Sequence, residues 1–405
     1  MRQKKQSRRR YILFLGVFTM LFAGVLYAWS ILKTPFAEIL GYDSPALALN
    51  FTLTMSFFCL GGFLSSRLVR LIGVRWSMIL SGTLAGLGYV ATSFLGEGQA
   101  FLLYVTYALL AGLGIGMAYI IIISTVNAWF PDRRGLSSGA LMMGFGASTL
   151  LIGKLADWLF TTDFGWRNTY ILIGICIAAV ISLSSFFIKN PDADTVFPEK
   201  KMKASAHSES FEMRDYPPLE MVRRFTFWRA FLALVCLTAV GSAVISFARD
   251  LALSVGAGAA LATTLVGVLS VCNGLGRIIT GAVFDALGRR FTMIAAAALT
   301  VLAAGSTLLA VSIGSLPLCI VGLCLTGLSY GTSPTVSSAF TAAFYGKKHF
   351  ATNLSISNFN LMAASFIATA CSSLQSVSGG YAVPFALLLS LAVAALLLNI
   401  SIKKP

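Results

Sequence analysis

One basic residue in this chain stands where basic residues are seldom found. Arg277 lies about two-thirds of the way along an apolar run, residues 259–284. An arginine inside a membrane span costs at least about 2.5 kcal/mol and ordinarily faces a polar cavity. Its planar fork pairs with a carboxylate through two parallel hydrogen bonds, so the chemistry it offers is the anchoring of a small anion. The alternative is a structural arginine that snorkels to the membrane surface or ties two helices together. Aromatic residues with polar tips lie deep in other runs: Tyr27 and Trp29, Tyr119, and Tyr330. They suit the wall of a cavity, or else pack between helices or sit in an interfacial belt. Pro334 interrupts one run and must remove a backbone hydrogen bond there, bending the helix either for gating or as a simple kink. Lys33 closes the first run, as a functional group or as an interfacial anchor.

Other chemistries find little to stand on. The two histidines, His207 and His349, fall in a polar stretch and at the end of a run, so neither an HExxH zinc site nor a Ser-His-Asp triad is expected. No GxxxxGK[ST] loop is present, which argues against ATP-driven work. The seven cysteines all lie inside apolar runs without CxxC spacing, so neither disulfides nor a metal site is expected. No cofactor is called for, and the chain reads as a non-enzyme. Glycines 112, 114 and 116 look like a nucleotide loop but in an apolar run they serve close helix packing.

The elements that position these residues follow from composition. Of 405 residues, 57% are apolar and 11% charged, and the mean hydropathy is +0.83. A water-soluble globule of this size would carry about 25% charged residues. Twelve apolar runs are long enough to span a hydrocarbon core: 11–32, 46–67, 75–95, 100–129, 137–157, 168–188, 228–248, 259–284, 291–312, 316–345, 351–375 and 381–401. They lack the alternation of a membrane barrel, so they should be helices. With the N-terminus placed in the cytoplasm, 25 of the 30 Lys and Arg fall on the cytoplasmic side and only Lys33, Lys154, Arg167 and Arg249 on the other. That asymmetry predicts cytoplasmic termini and an even number of spans. It also accounts for the net charge of +15 as a topology signal and a contact for anionic lipid headgroups, with no nucleic-acid partner. The basic start followed by an apolar run reads as an uncleaved first helix.

The longest polar stretch predicts three parts: a six-helix half at 1–189, a cytoplasmic linker at 190–227, and a second six-helix half at 228–405. One constant offset along the chain lays Leu71–Ile79 on Ala286–Ile294, Gly112 on Gly327, Gly116 on Gly331, and Tyr119 on Pro334. The fold class is therefore an all-α membrane protein, twelve transmembrane helices in two six-helix pseudo-symmetric halves, with a site between them near the midplane.

These residues resemble the major facilitator superfamily over nearly the whole chain. Its loop G-x-x-x-D-x-x-G-R-R stands here as Gly281-Ala-Val-Phe-Asp285-Ala-Leu-Gly288-Arg289-Arg290, and its counterpart between spans 2 and 3 is degraded, with Ser66 and Arg70 in place of Gly and Asp. Within the superfamily, Asn127–Gly139, Met143–Gly146, Tyr27–Ser30 and Asn273–Arg277 resemble the oxalate/formate antiporters, a family near the monocarboxylate transporters. The resemblance implies a secondary carrier of a small organic anion working by alternating access, as antiporter or proton symporter, with Arg277 as the substrate anchor. It assigns gating to Gly281, Asp285, Gly288, Arg289 and Arg290, and similarly to Asp132, Arg133 and Arg134. Gly281 would admit a neighbouring helix closely. In the oxalate transporter a second cation, a lysine, stands in span 11; here Leu361 falls there with Asn358 and Asn360 close by. Symporters of monocarboxylates carry an Asp one turn before the Arg, and here that position is Asn273. One buried cation balances one carboxylate, so a monocarboxylate is expected, with a proton or counter-anion as coupled partner and the chain acting as a monomer. The alternatives are a carrier of the same fold for a neutral or cationic solute, with Arg277 structural, and a membrane receptor that does not transport.

Overall fold

A peptide chain inside lipid has no water to pair with its N–H and C=O groups, so each apolar run must satisfy them internally. The computed structural model, which describes residues 2–130, 134–191, 215–346 and 349–402, does this with twelve helices long and apolar enough to cross a membrane. They are α1 (Arg8–Glu38), α2 (Ser44–Ser65), α3 (Arg67–Thr92), α4 (Ala100–Ala128), α5 (Gly139–Phe160), α6 (Gly165–Ser184), α7 (Phe225–Ser254), α8 (Ala259–Phe284), α9 (Arg290–Ile313), α10 (Leu316–Tyr345), α11 (Thr352–Ser378) and α12 (Ala382–Ser401). Two bundle ends result: the N-terminal face, and the far face where α1 ends. The limits read from sequence agree closely for most. The span counted from Arg67 leaves helical geometry at Gly73, so the regular part of α3 begins just beyond that turn, in line with the expected start at 75. Helices α1 and α7 outrun their expected ends at 32 and 248, and those extra turns carry charges discussed below.

Local sequence sets the ends. Asp43 accepts the Ala46 N–H at 3.3 Å and caps α2, with a proline in the first turn. The turns joining α2 to α3 and α8 to α9 each need one residue at positive φ, supplied by Gly73 (φ 79°, ψ 168°) and Gly288 (φ 75°, ψ 178°). The sequence offset that carries Leu71 onto Ala286 carries Gly73 onto Gly288. Packing repeats in the same register. A methyl group on Gly61, Gly112 or Gly116 would collide with the backbone carbonyl of Leu113, Thr54 or Phe58, and one on Gly276, Gly327 or Gly331 with that of Leu328, Leu269 or Asn273. The α2–α4 crossing and the α8–α10 crossing are thus the same small-residue contact built twice.

Six helices are irregular within the bilayer and form its centre. Helix α1 tightens to a 3₁₀ turn at Gly24–Ala28, α4 and α5 contain π segments at Tyr104–Gly112 and Thr149–Gly153, α7 breaks at Phe247, α10 contains Pro334, and α11 is interrupted at Asn358–Phe359. Breaks of this kind are tolerated in a membrane where neighbouring protein or a cavity re-satisfies the backbone. Helices α3, α6, α9 and α12 are regular and present apolar side chains outward, such as Leu87, Leu183, Leu302 and Leu397. Most of the expected linker, residues 192–214, lies outside the described residues. Its end does not hang free: the Tyr216 N–H bonds to the Tyr345 carbonyl at 3.1 Å, Asn353 Nδ2 donates to the Tyr216 carbonyl at 2.9 Å, and a one-turn helix, Pro218–Val222, buries Met221.

Candidate functional site

Arg277 is carried by α8 with only 8% of its surface exposed. Its Nε donates to Asn273 Oδ1, one helical turn earlier, at 3.4 Å. Its Nη1 meets the sulfur of Met142 on α5 at 2.7 Å, and that sulfur also accepts the Tyr119 hydroxyl at 3.2 Å. Tyr27, Tyr119 and Tyr330 stand around the guanidinium within electrostatic reach. Among the described residues no carboxylate lies within ion-pair distance of it. A full positive charge is therefore held by neutral groups alone, an arrangement that favours any anion small enough to reach it.

A cavity of about 40 Å³ adjoins the guanidinium. Its wall draws on six helices: Tyr27 of α1, Phe58 to Phe63 of α2, Tyr119 of α4, Arg277 of α8, Pro334 of α10, and Asn358 and Leu361 of α11. Aromatic rings lie edge to face around it. Phe145 meets Tyr27 at 5.0 Å and Tyr119 at 5.4 Å between centroids, Phe58 meets Tyr119 at 5.0 Å, and Tyr27 meets Tyr330 at 6.1 Å. At roughly 10–15 Å³ of this measure per water, the space takes about three waters or an anion of a few heavy atoms. The lining falls in duplicated pairs. The repeat offset relates Tyr119 to Pro334 and Gly62 to Arg277, and all four face the cavity.

Residues 12–369 match the Major Facilitator Superfamily. This chain belongs to that superfamily. It is accordingly a multi-pass membrane transporter. It is 25% identical over 361 residues to an uncharacterized MFS-type transporter, YhjX, of Escherichia coli (strain K12), covering 86% of this chain and 84% of that protein. To the oxalate:formate antiporter of Oxalobacter formigenes it is 27% identical over 288 residues, 71% of this chain and 66% of the antiporter. To monocarboxylate transporter 6 of Mus musculus it is 31% identical over 147 residues, about a third of either protein.

As a superfamily transporter, the chain brings most of its sequence-predicted binding residues together. Arg277, Tyr27, Tyr119 and Asn358 line the cavity, with Asn273 bonded to Arg277 and Tyr330 packed on Tyr27. Trp29 and Asn360 stand apart from the cavity. Trp29 is buried among Tyr107 and Phe36, and its Nε1 donates to the Leu47 carbonyl at 3.2 Å, because residues two apart on a helix point to nearly opposite sides. Asn360 sits behind the cavity, accepting from Thr238 Oγ1 at 3.1 Å and donating to the Ser357 carbonyl at 2.7 Å. Of the motif residues, Asp132 and Arg133 and the side chains of Arg134, Asp285 and Arg289 lie outside the described residues. Gly288 makes the turn already described, and Arg290 is exposed at the start of α9. Gly281 does not do what was expected of it: among the described residues nothing comes within 4 Å of where its Cβ would stand, so its lack of a side chain serves no close helix approach there.

Two features escaped the sequence. Met142 is one, since a methionine in an apolar run looks like any core residue. The other is a polar clasp at the far face between the first and last six helices. Lys33 Nζ meets Asp250 Oδ2 at 2.6 Å, Arg249 reaches Glu38 and Asp157 at 3.8 and 3.9 Å, Thr263 donates to Asp157 at 2.8 Å, and Lys154 donates to Thr264 at 3.1 Å. The charges on the last turns of α1 and α7 are what those helices were extended to present. Toward the N-terminal face, α2 and α11 meet where Cys59 Sγ approaches the Asn358 carbonyl at 3.6 Å and Phe63 lies against Phe359 at 6.2 Å.

Proposed function

We propose that the chain is a secondary carrier that moves a small organic anion, a monocarboxylate, by alternating access between the far face and the N-terminal face. The observation that carries this is the Arg277 guanidinium, buried beside a cavity with no carboxylate partner among the described residues. A carboxylate entering from water would exchange its hydration for two charge-assisted hydrogen bonds. Among the described residues Arg277 is the one cation on the cavity wall, and Leu361 stands where the resemblance to the oxalate transporter would put a lysine. A dicarboxylate would keep one charge unmatched, which low-dielectric surroundings penalise heavily. The relatives named for oxalate, formate and monocarboxylates point to the same substrate class. The basic residues at the N-terminal face, several stacked on aromatic rings such as Arg75 on Phe186 at 4.0 Å, support an orientation with that face in the cytoplasm. The far-face clasp then closes the outer side. With no carboxylate lining the cavity, coupling runs through exchange for another anion or through a proton carried on the substrate.

Uptake of labelled acetate, lactate and formate into proteoliposomes tests this, with Arg277→Gln as the comparison. Truncating one partner of a buried charge pair costs about 2–5 kcal/mol, so uptake at low substrate should fall at least about thirtyfold. Anion uptake insensitive to this change, or competition by uncharged solutes and not by carboxylates, would remove Arg277 from the site.

A further inference from the structure

We propose that Met142 is a placeholder ligand: in the empty carrier its thioether sulfur occupies the position on the Arg277 guanidinium that a substrate carboxylate oxygen must take, so its displacement is part of binding and sets affinity. This rests on the anion-carrier reading above. Nη1 of Arg277 is in direct contact with the sulfur, and an incoming carboxylate oxygen must reach the same N–H to form its charge-assisted hydrogen bond. The sulfur thus stands in the oxygen's way. A thioether is a weak acceptor, adequate to occupy a buried donor and easily outcompeted by an anion. Methionine is unbranched, with three rotatable bonds, so it can swing aside without moving the backbone. The same sulfur accepts the Tyr119 hydroxyl, so its departure releases two donors, the guanidinium N–H and the tyrosine O–H, toward the same incoming carboxylate. Met142 belongs to α5 and Arg277 to α8, so the exchange also removes a contact between the first and last six helices at the substrate site.

The proposal orders a substitution series. Met142→Leu keeps the volume and removes the acceptor; with no competitor left, the apparent Kd for acetate should fall about three- to tenfold, the span of one neutral hydrogen bond. Met142→Gln supplies a stronger neutral acceptor, the amide oxygen, and should raise Kd by a similar factor. Thermal-shift titrations of purified carrier with acetate, beside Arg277→Gln, read these values. Equal affinities in all three residue-142 forms, or weaker binding by Met142→Leu, would overturn the placeholder while loss of binding in Arg277→Gln left the anion site standing. Unchanged binding in Arg277→Gln would overturn both. A second measurement needs no substitution in the reporting protein. In wild-type carrier labelled with ¹³C-methyl methionine, the Met142 signal, assigned by its absence from Met142→Leu, should move on saturation with acetate and stay in place with matched chloride. A signal that ignores acetate would refute the displacement.

Discussion

The far-face clasp makes a prediction whose size follows from its geometry. Lys33 and Asp250 meet at 2.6 Å, with side chains 11% and 39% exposed. At an effective dielectric of 20 that separation gives a gross attraction of about 6 kcal/mol. Desolvating the lysine and fixing two flexible side chains take back most of it. Exposed pairs retain about 0.2–1 kcal/mol, and breaking a buried pair costs about 3–5 kcal/mol. A pair exposed on one side should fall between these limits, at about 2 kcal/mol. The pair joins the last turn of α1 to the last turn of α7, so it exists only while the far face is closed. Removing it with Asp250→Asn should therefore shift the closed-to-open equilibrium by about thirtyfold, since about 1.4 kcal/mol is tenfold.

The reporter is Thr52, fully buried on α2 near the far face, where its hydroxyl meets the Ser365 carbonyl and Thr369 of α11. In a cysteine-free background, Thr52→Cys should react with a polar maleimide only when the far face opens. Asp250→Asn should speed that labelling by about the same factor, and the exchange Lys33→Asp with Asp250→Lys should slow it again. Labelling no faster in Asp250→Asn than in its parent would mean that the ion pair decorates a surface closed by other forces. Acceleration that the charge exchange fails to reverse would assign the effect to local packing and refute the electrostatic argument.

Two further perturbations test the packing and the site. Gly116→Ala drives a methyl into the Phe58 carbonyl and should cost several kcal/mol, seen as a clear fall in Tm in detergent, whereas Gly281→Ala meets open space and should leave Tm within error. Leu361→Lys places a second cation on the cavity wall and should make oxalate compete with acetate uptake, where the parent protein ignores it.

The sequence made the twelve helices legible because lipid imposes one simple rule, and the runs around residues 259–284 and 316–345 were bounded to the residue. It also revealed the repeat, since glycines tolerate little drift where carbonyls press on them. What it hid shares a physical cause. Hydropathy records that a residue is buried without saying which way it faces, so Tyr27 and Trp29 looked alike, although two residues apart on a helix they point to nearly opposite sides, one to the cavity and the other into the packing against Tyr107. Met142 reads as core for the same reason. The charges at the helix ends read as topology signals because a single sequence does not show that Lys33 and Asp250, on the first and seventh helices, meet.

The duplicated scaffold explains why the site holds one charge and where. At positions related by the repeat offset, the first six helices place Phe58 and Gly62 where the last six place Asn273 and Arg277. One copy has become an aromatic wall and the other a polar one. Had both copies kept an arginine at the Gly62 and Arg277 positions, two guanidiniums would share one small cavity and repel each other without water to screen them. Gly62 places no charge at the repeat-related position on the wall, and the rings of Phe58 and Tyr119 lie beside it. The site is thus asymmetric in charge while the contacts that carry it, Gly116 on Phe58 and Gly331 on Asn273, remain symmetric.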